Sequence, residues 1–278
     1  MRETLETSME RPAWAPQGID LSVPSVSRMY DFYLGGSHNF EVDRIAARAA
    51  IEAFPGLPKV MQTNRAFMRR AVRYALSAGV TQFLDIGSGI PTFGAVHEVA
   101  RAVDDRATVV YVDNDPVAVA HSHAVLEGQD GTGVVAGDFR DPAAILRSEP
   151  VRALIDFDRP VAVLLVALLH FVDDADEPAA AVARLRRALA PGSLLVLSHA
   201  STDTGPRTAE QGARIAEVYR RGGASLTLRS REAILPFFDG FDLLAPGLVA
   251  LPDWCPEEPV DEDDPVVYTG LAGVGRAA

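Results

Sequence analysis

Leu84-Asp85-Ile86-Gly87-Ser88-Gly89 is the stretch of this 278-residue chain whose residue types and spacing speak most directly of chemistry. An acid two positions before a Gly-x-Gly turn sets a carboxylate beside main chain that no Cβ shields, so a ligand can approach the backbone closely. Two more acids follow apolar runs, in Val109-Val110-Tyr111-Val112-Asp113 and Val134-Val135-Ala136-Gly137-Asp138-Phe139. If each run is a strand, Asp85, Asp113 and Asp138 stand at three successive strand ends, where open α/β sheets bind their ligands.

Two ligands compete for such a turn. A dinucleotide calls for G-x-G-x-x-G, with its pyrophosphate on a helix N-terminus. The position five after Gly87 is Thr92, and Pro91 interrupts the approach, so that fingerprint fails. S-adenosylmethionine carries no phosphate, and its amino-acid end needs a carboxylate for the ammonium group. Asp85 answers that need, with Gly87, Ser88 and Gly89 as the cradle. Asp113, with Asn114 beside it, can accept from both ribose hydroxyls. Asp138 can accept from the adenine amino group, with Phe139 against the ring.

The elements needed to hold these residues are legible. From residue 80 onward, strands expected at 82–86, 108–112, 133–136, 161–167 and 194–198 alternate with helices at 94–103, 116–126, from 142 onward and 178–189. Single helices between strands imply right-handed crossovers and a parallel sheet covered on both faces. Helices at 207–221 and 231–238 and strands at 241–245 and 266–271 complete the chain. Ahead of the sheet, residues 1–22 read as a loose arm. Residues 23–79 read as a helical extension: helices at 26–33 and 40–54, then one capped by Asn64 and running to Ser77. Residues 80–278 form the sheet domain. The run 253–264 holds seven acidic residues and no basic one, and reads as a solvated loop.

Composition narrows the function. The formal charge is −12, which disfavours a nucleic-acid partner. The longest uncharged apolar run, residues 160–169, is ten residues and suits a buried strand, not a membrane span. Glu3, Glu6 and Glu10 with no apolar core beside them make a secretory leader unexpected. Cys255 is the single cysteine, and a cytoplasmic location is the expectation. No metal site is expected: His121 and His123, two apart on a helix, face different ways.

The order over residues 80–200 resembles class I S-adenosylmethionine-dependent methyltransferases. Over nearly all the chain beyond residue 20 it resembles, more closely, a bacterial family of stand-alone methyltransferase-like proteins. The likeness is carried by residues 24–40, which include Arg28-Met29-Tyr30-Asp31 and Gly35-Gly36-Ser37-His38-Asn39. Asn64-Arg65-Ala66-Phe67, the Asp85 turn through Pro91-Thr92, Asp113-Asn114-Asp115-Pro116 and Leu168-Leu169-His170-Phe171-Val172 carry the rest. The resemblance implies a Rossmann-like α/β sheet of seven strands with the last antiparallel, S-adenosylmethionine as cofactor and S-adenosylhomocysteine as product. It implies also that the N-terminal helices roof the cofactor, bringing Tyr30 and Asn39 to the pocket. Pro91 stands where many members have a third glycine, so the turn into the first helix should differ.

On this reading Ala167 and Leu168, ending the fourth strand, wall the reacting methyl group. His170 and His199 are the candidate general bases. Arg65, Arg69 and Arg73 form a basic stripe on the third helix, read as a solvated face. The expected reaction is methyl transfer to a small-molecule acceptor whose identity, like the oligomeric state, the residues do not specify. A catalytically silent module binding the same cofactor is the alternative, and a nicotinamide-dependent oxidoreductase a more distant one.

Overall fold

The structure, a computed structural model, describes residues 20–91, 94–257 and 264–278. The expected arm up to residue 19, Thr92 and residues 258–263 of the acid-rich run lie outside the described residues.

Three helices precede the sheet: α1 (Val26–Tyr33), α2 (Glu41–Ala53) and α3 (Leu57–Ser77). Gly36 ends the α1 segment because a Cβ there would run into the Asp31 carboxylate. Asp31 in turn accepts from His38 N (2.9 Å) and Asn39 Nδ2 (2.7 Å), which closes the loop into α2. Asp43, in the first turn of α2, accepts from Phe40 N (2.8 Å) and Ser25 N (2.9 Å) and pairs with buried Arg28 at 3.1 Å. One buried ion pair therefore joins α1 to α2. The start expected at Asn64 is wrong: α3 begins seven residues earlier, with Pro58 in its first turn. Proline is tolerated there because the first-turn N–H groups have no intrahelical acceptor. Asn64 lies inside the helix and is buried.

The sheet comprises β1 (Gln82–Ile86), β2 (Thr108–Asp113), β3 (Thr132–Ala136), β4 (Ala162–Val166), β5 (Leu194–His199), β6 (Phe241–Leu243), β7 (Val249–Ala250) and β8 (Leu271–Ala277). Its order is β3-β2-β1-β4-β5-β8-β6, with two-residue β7 paired to β8. Strands β1 to β5 are mutually parallel, and β8 runs antiparallel between β5 and β6. The helices between and after them are α4 (Val96–Arg101), α5 (Pro116–Leu126), α6 (Pro142–Arg147), α7 (Glu149–Leu154), α8 (Pro178–Arg186), α9 (Ala209–Arg221) and α10 (Arg231–Ile234). Strand order reverses at β1, whose carboxyl end is thus the switch point where such sheets take ligands.

The expected strand over 266–271 is corrected. Pro265–Tyr268 is a 3-10 turn begun by Asp264, whose carboxylate accepts from Val266 N (3.1 Å), and the strand follows at Leu271. Gly273 and Gly275 sit in that strand because Phe238 and Phe241 press against it where side chains would stand.

One face of the sheet shares its apolar cluster with α1, α2 and α3: Met29, Tyr33, Phe67 and Val72 belong with Phe83, Val109, Leu164 and Val196. Trp254 seals this cluster from the far end of the chain. It is fully buried, edge-on to Phe67 (5.6 Å) and Tyr74 (5.5 Å). Trp254→Ala is expected to lower stability by about 3–5 kcal/mol, read from the denaturant midpoint at constant slope. A loss under about 1 kcal/mol would show that the cluster closes without it.

Candidate active site

Leaving β1, the backbone turns through Gly87 (φ 72°) and Gly89 (φ 64°), a conformation strained for residues with a Cβ. Gly87 N (2.8 Å) and Ser88 N (3.1 Å) both donate to Val112 O, and Gly89 N donates to Asp113 Oδ2 at 2.7 Å. The turn is therefore pinned to the end of β2. Leu168 lies over Gly87, and any Cβ there would collide with it, whereas the space beside Gly89 is open. Asp113 also accepts from Asp115 N (2.8 Å) and from Ser27 Oγ of α1 (3.3 Å). Asp115 caps α5 through Val117 N and Ala118 N.

Asp85 and Asp113 are both buried. Burial pushes the Asp85 carboxyl up to about 7, opposed by Arg65 and reinforced by Asp113. Burial likewise pushes Asp113 up to about 6, against the amide donors of Asp115 and Gly89. The two carboxylates are thus held ready for a cation or a hydroxyl.

A cavity of about 60 Å³ opens on this turn, walled by Asp85, Gly87, Ser88, Gly89, Arg65 and Tyr30, with Ala167 in its lining. Beyond Ala167 lies a second cavity of about 70 Å³, largely apolar and lined by Phe54, Met61, Ile215 and Leu228 among others. Val26, Tyr30, Asn64, Ala167 and Phe171 line both. Asn64 organises this shared wall. Its Nδ2 donates to Tyr30 Oη (2.9 Å), and its Oδ1 accepts from Ser198 Oγ (2.6 Å). Ser198 Oγ in turn accepts from Ala167 N (2.9 Å), holding Ala167 at φ 56°.

His170 and His199 both lie along the second cavity. His170 Nδ1 accepts from Ala200 N (3.2 Å), which puts the proton of the neutral ring on Nε2. His199 Nδ1 donates to Ala200 O (2.7 Å), while its Nε2 accepts from Arg229 Nη1 (2.9 Å). Burial lowers both rings, His199 to about 4, so each is neutral near pH 7. In this arrangement the lone pair of each neutral ring, expected to act as a general base, accepts a hydrogen bond from the protein, and His170 presents a donor. Arg229 is itself buried, bonded to Leu169 O and Val172 O and paired with Asp174 at 2.6 Å.

Of the residues singled out from sequence, Asp85, Gly87, Ser88, Gly89, Ala167 and Tyr30 line the first cavity, with Asp113 and Leu168 directly behind the turn. Asn114 is exposed and its Nδ2 reaches Asp138 Oδ2 at 3.4 Å. Asp138 is paired with Arg140, which holds its carboxyl below the usual range. Phe139 is buried in the apolar layer with Val135 and Ile145, so its ring is committed to packing. Asn39 is likewise committed, bonded to Asp31, Gly36 O and Arg44. His38 and His121 stack at 3.7 Å, and among the described residues no three metal-ligating side chains meet.

The arginine stripe divides. Arg65 enters the first cavity, while Arg73 pairs with Glu257 on the surface. Arg65, Asn64, Ser27 and Arg207 are the site residues that spacing alone did not single out for these places. The clue for Asn64 was its polar side chain amid the apolar face of Phe67, Met68 and Ala71.

A doubly covered sheet of this order, with the antiparallel strand inserted and a glycine turn between two carboxylates at its switch point, defines a class I methyltransferase. The chain belongs to the S-adenosyl methyltransferase family, whose model matches residues 12–278. It is therefore an S-adenosylmethionine-dependent methyltransferase. A candidate methyltransferase from Thermobifida fusca YX is 40% identical, with 95% of this chain and 99% of that one covered and a TM-score of 0.88. A DUF574 family protein from Streptomyces avermitilis MA-4680 is 35% identical over 93% of this chain and 99% of that one, also at 0.88. The CurJ carbon methyltransferase, 15% identical over 83% of this chain and 61% of that one, shares the fold at a TM-score of 0.51. No curated protein matches the chain. Among the described residues, no helix is long and apolar enough to cross a membrane.

The raised Asp85 carboxyl has a consequence for the ligand-free protein. Between the unfolded value near 3.9 and the folded value of about 7, the folded state holds the extra proton, so stability falls as pH rises through that window. Asp85→Asn removes the effect. The variant's urea midpoint is expected to gain on the wild type's between pH 5 and pH 8, and a constant difference would contradict the shifted carboxyl.

Proposed function

We propose that this enzyme moves the methyl group of S-adenosylmethionine to a small-molecule acceptor held in the second cavity. The observation that carries this reading is the wall of Tyr30, Asn64, Ala167 and Phe171, common to a carboxylate-lined cavity and an apolar one. The residues present fit the cofactor: open space beside Gly89 admits it, and two desolvated carboxylates supply acceptors for its ammonium and hydroxyl groups.

When bound, the cofactor supplies an electrophilic methyl on a positively charged sulfur. Asp85 would hold the ammonium group, Arg65 the carboxylate, and Asp113 the ribose hydroxyls, with Ser27 giving way. Asn114 and Asp138 would take the adenine edge. The helices α1 to α3 serve as the roof, contributing Tyr30 to both cavities while Asn39 shapes the loop behind it.

The chain's own part in the reaction is orientation and exclusion of water. Alignment of this kind can supply roughly 7–11 kcal/mol in favourable cases. A dedicated base is not required, which agrees with the engaged lone pairs of both histidines. His170 Nε2–H is available to donate to the acceptor and so to fix its pose. A protein that only stores the cofactor needs no second cavity behind the same wall, and this disfavours the silent-module reading.

Calorimetric titration is expected to show binding of S-adenosylhomocysteine and none of NAD. Asp113→Ala should weaken the former about 10- to 100-fold, the range for bonds to a charged group. Equal or tighter binding of NAD would overturn the assignment.

A further inference from the structure

The second cavity has a one-sided polar inventory. Apart from the Tyr30, Asn64 and Ser198 network, its polar side chains are His170, His199, Arg207, Thr269 and Tyr219, whose hydroxyl is bonded to that of Tyr33 at 3.2 Å, and among the described residues no aspartate or glutamate lines it. His199 is satisfied on both nitrogens. His170 has its Nδ1 engaged and offers Nε2–H. Thr269 is 3% exposed, and its hydroxyl finds no partner among the described residues.

Arg207 is the decisive member. Its Nη2 donates to Ser201 O, and no carboxylate pairs with it among the described residues. Arg207 is half-buried; the fully buried arginines each have a carboxylate, Asp43 for Arg28 and Asp174 for Arg229, and half-buried Arg70 is held by two carbonyls, those of Leu251 and Trp254. Burial alone perturbs Arg207, pulling its guanidinium down from the usual range. A cation removed from water without a counter-ion is unfavourable unless a ligand provides one. Arg207 and Thr269 line only the second cavity, away from the wall shared with the cofactor site.

We propose that the acceptor is an apolar acid: an aromatic or aliphatic body carrying a carboxylate, which docks on Arg207 with His170 Nε2–H and Thr269 as the further donors in the cavity. The inference rests on the two-cavity methyltransferase reading. The planar guanidinium can receive a carboxylate through two parallel bonds, which a neutral amide cannot match. Anchoring the acid away from the shared wall directs the rest of the molecule toward Ala167 and Phe171. The methylated atom is therefore a different one from the carboxylate oxygens.

The test uses the full chain saturated with S-adenosylhomocysteine, titrated with benzoate, 2-naphthoate, indole-3-acetate and octanoate, each beside its primary amide. At least one acid is expected to bind tenfold or more tightly than its amide. Arg207→Gln should abolish that preference and Arg207→Lys retain part of it, with S-adenosylhomocysteine affinity the same in all three proteins. Equal binding of acid and amide, a preference that survives Arg207→Gln, or no binding of any probe would overturn the acceptor assignment while leaving the cofactor site intact. Phenyl phosphate binding in place of every acid would also overturn it, in favour of a phosphate ester. Failure of the wild type to bind S-adenosylhomocysteine would instead overturn the methyltransferase reading of the cavities, and this inference with it.

Discussion

Two carboxylates taken out of water at the ends of adjacent strands are the constraint around which this molecule is arranged. A parallel sheet places the carboxyl ends of β1 and β2 on one edge, so Asp85 and Asp113 cannot avoid each other's field. The main chain relieves Asp113 with amides from Gly89 and Asp115, and the turn that presents the Gly89 amide needs glycine for its positive φ angles and for the approach of Leu168 to Gly87. Asp85 has no such amides and depends on the field of Arg65. Asp113 thereby has both carboxylate oxygens bonded, whereas Asp85 faces the cavity. The roof formed by α1 and α3 serves this arrangement by keeping bulk water from quenching it.

The parts of the fold governed by local pattern were legible in the residues. Apolar runs bounded by turns located β1 to β5 almost to the residue, because strands buried on both faces read as continuous apolar stretches. The motif acids followed from those strand ends. Illegible were the features decided by distant partners. Pro58 reads as a stop, yet it opens α3 because the first turn does not use its missing N–H. β8 was displaced because glycines chosen for close contact with Phe238 and Phe241 carry no alternating pattern. Phe139 has the composition of a ring-stacking residue, but the apolar layer beneath the sheet claimed it.

The histidines teach a related lesson. His170 and His199 follow two neighbouring strand ends, as bases would, but position in sequence says nothing of which lone pairs the surroundings have already taken. Arg229, thirty residues beyond His199, decides that question by donating into its ring and pairing with Asp174. Arg207, which has no carboxylate partner among the described residues, reaches the cavity from a segment with no local pattern that marks it.

The left-handed backbone at Ala167 joins these themes. A residue with a Cβ holds that conformation at about 1–2 kcal/mol above its relaxed state, and here its N–H is shared between the hydroxyl and the carbonyl of Ser198. The same hydroxyl donates to Asn64 in the roof, which also steadies Tyr30. The backbone that divides the two cavities is thus fastened to the helical layer by a single side chain, that of Asn64.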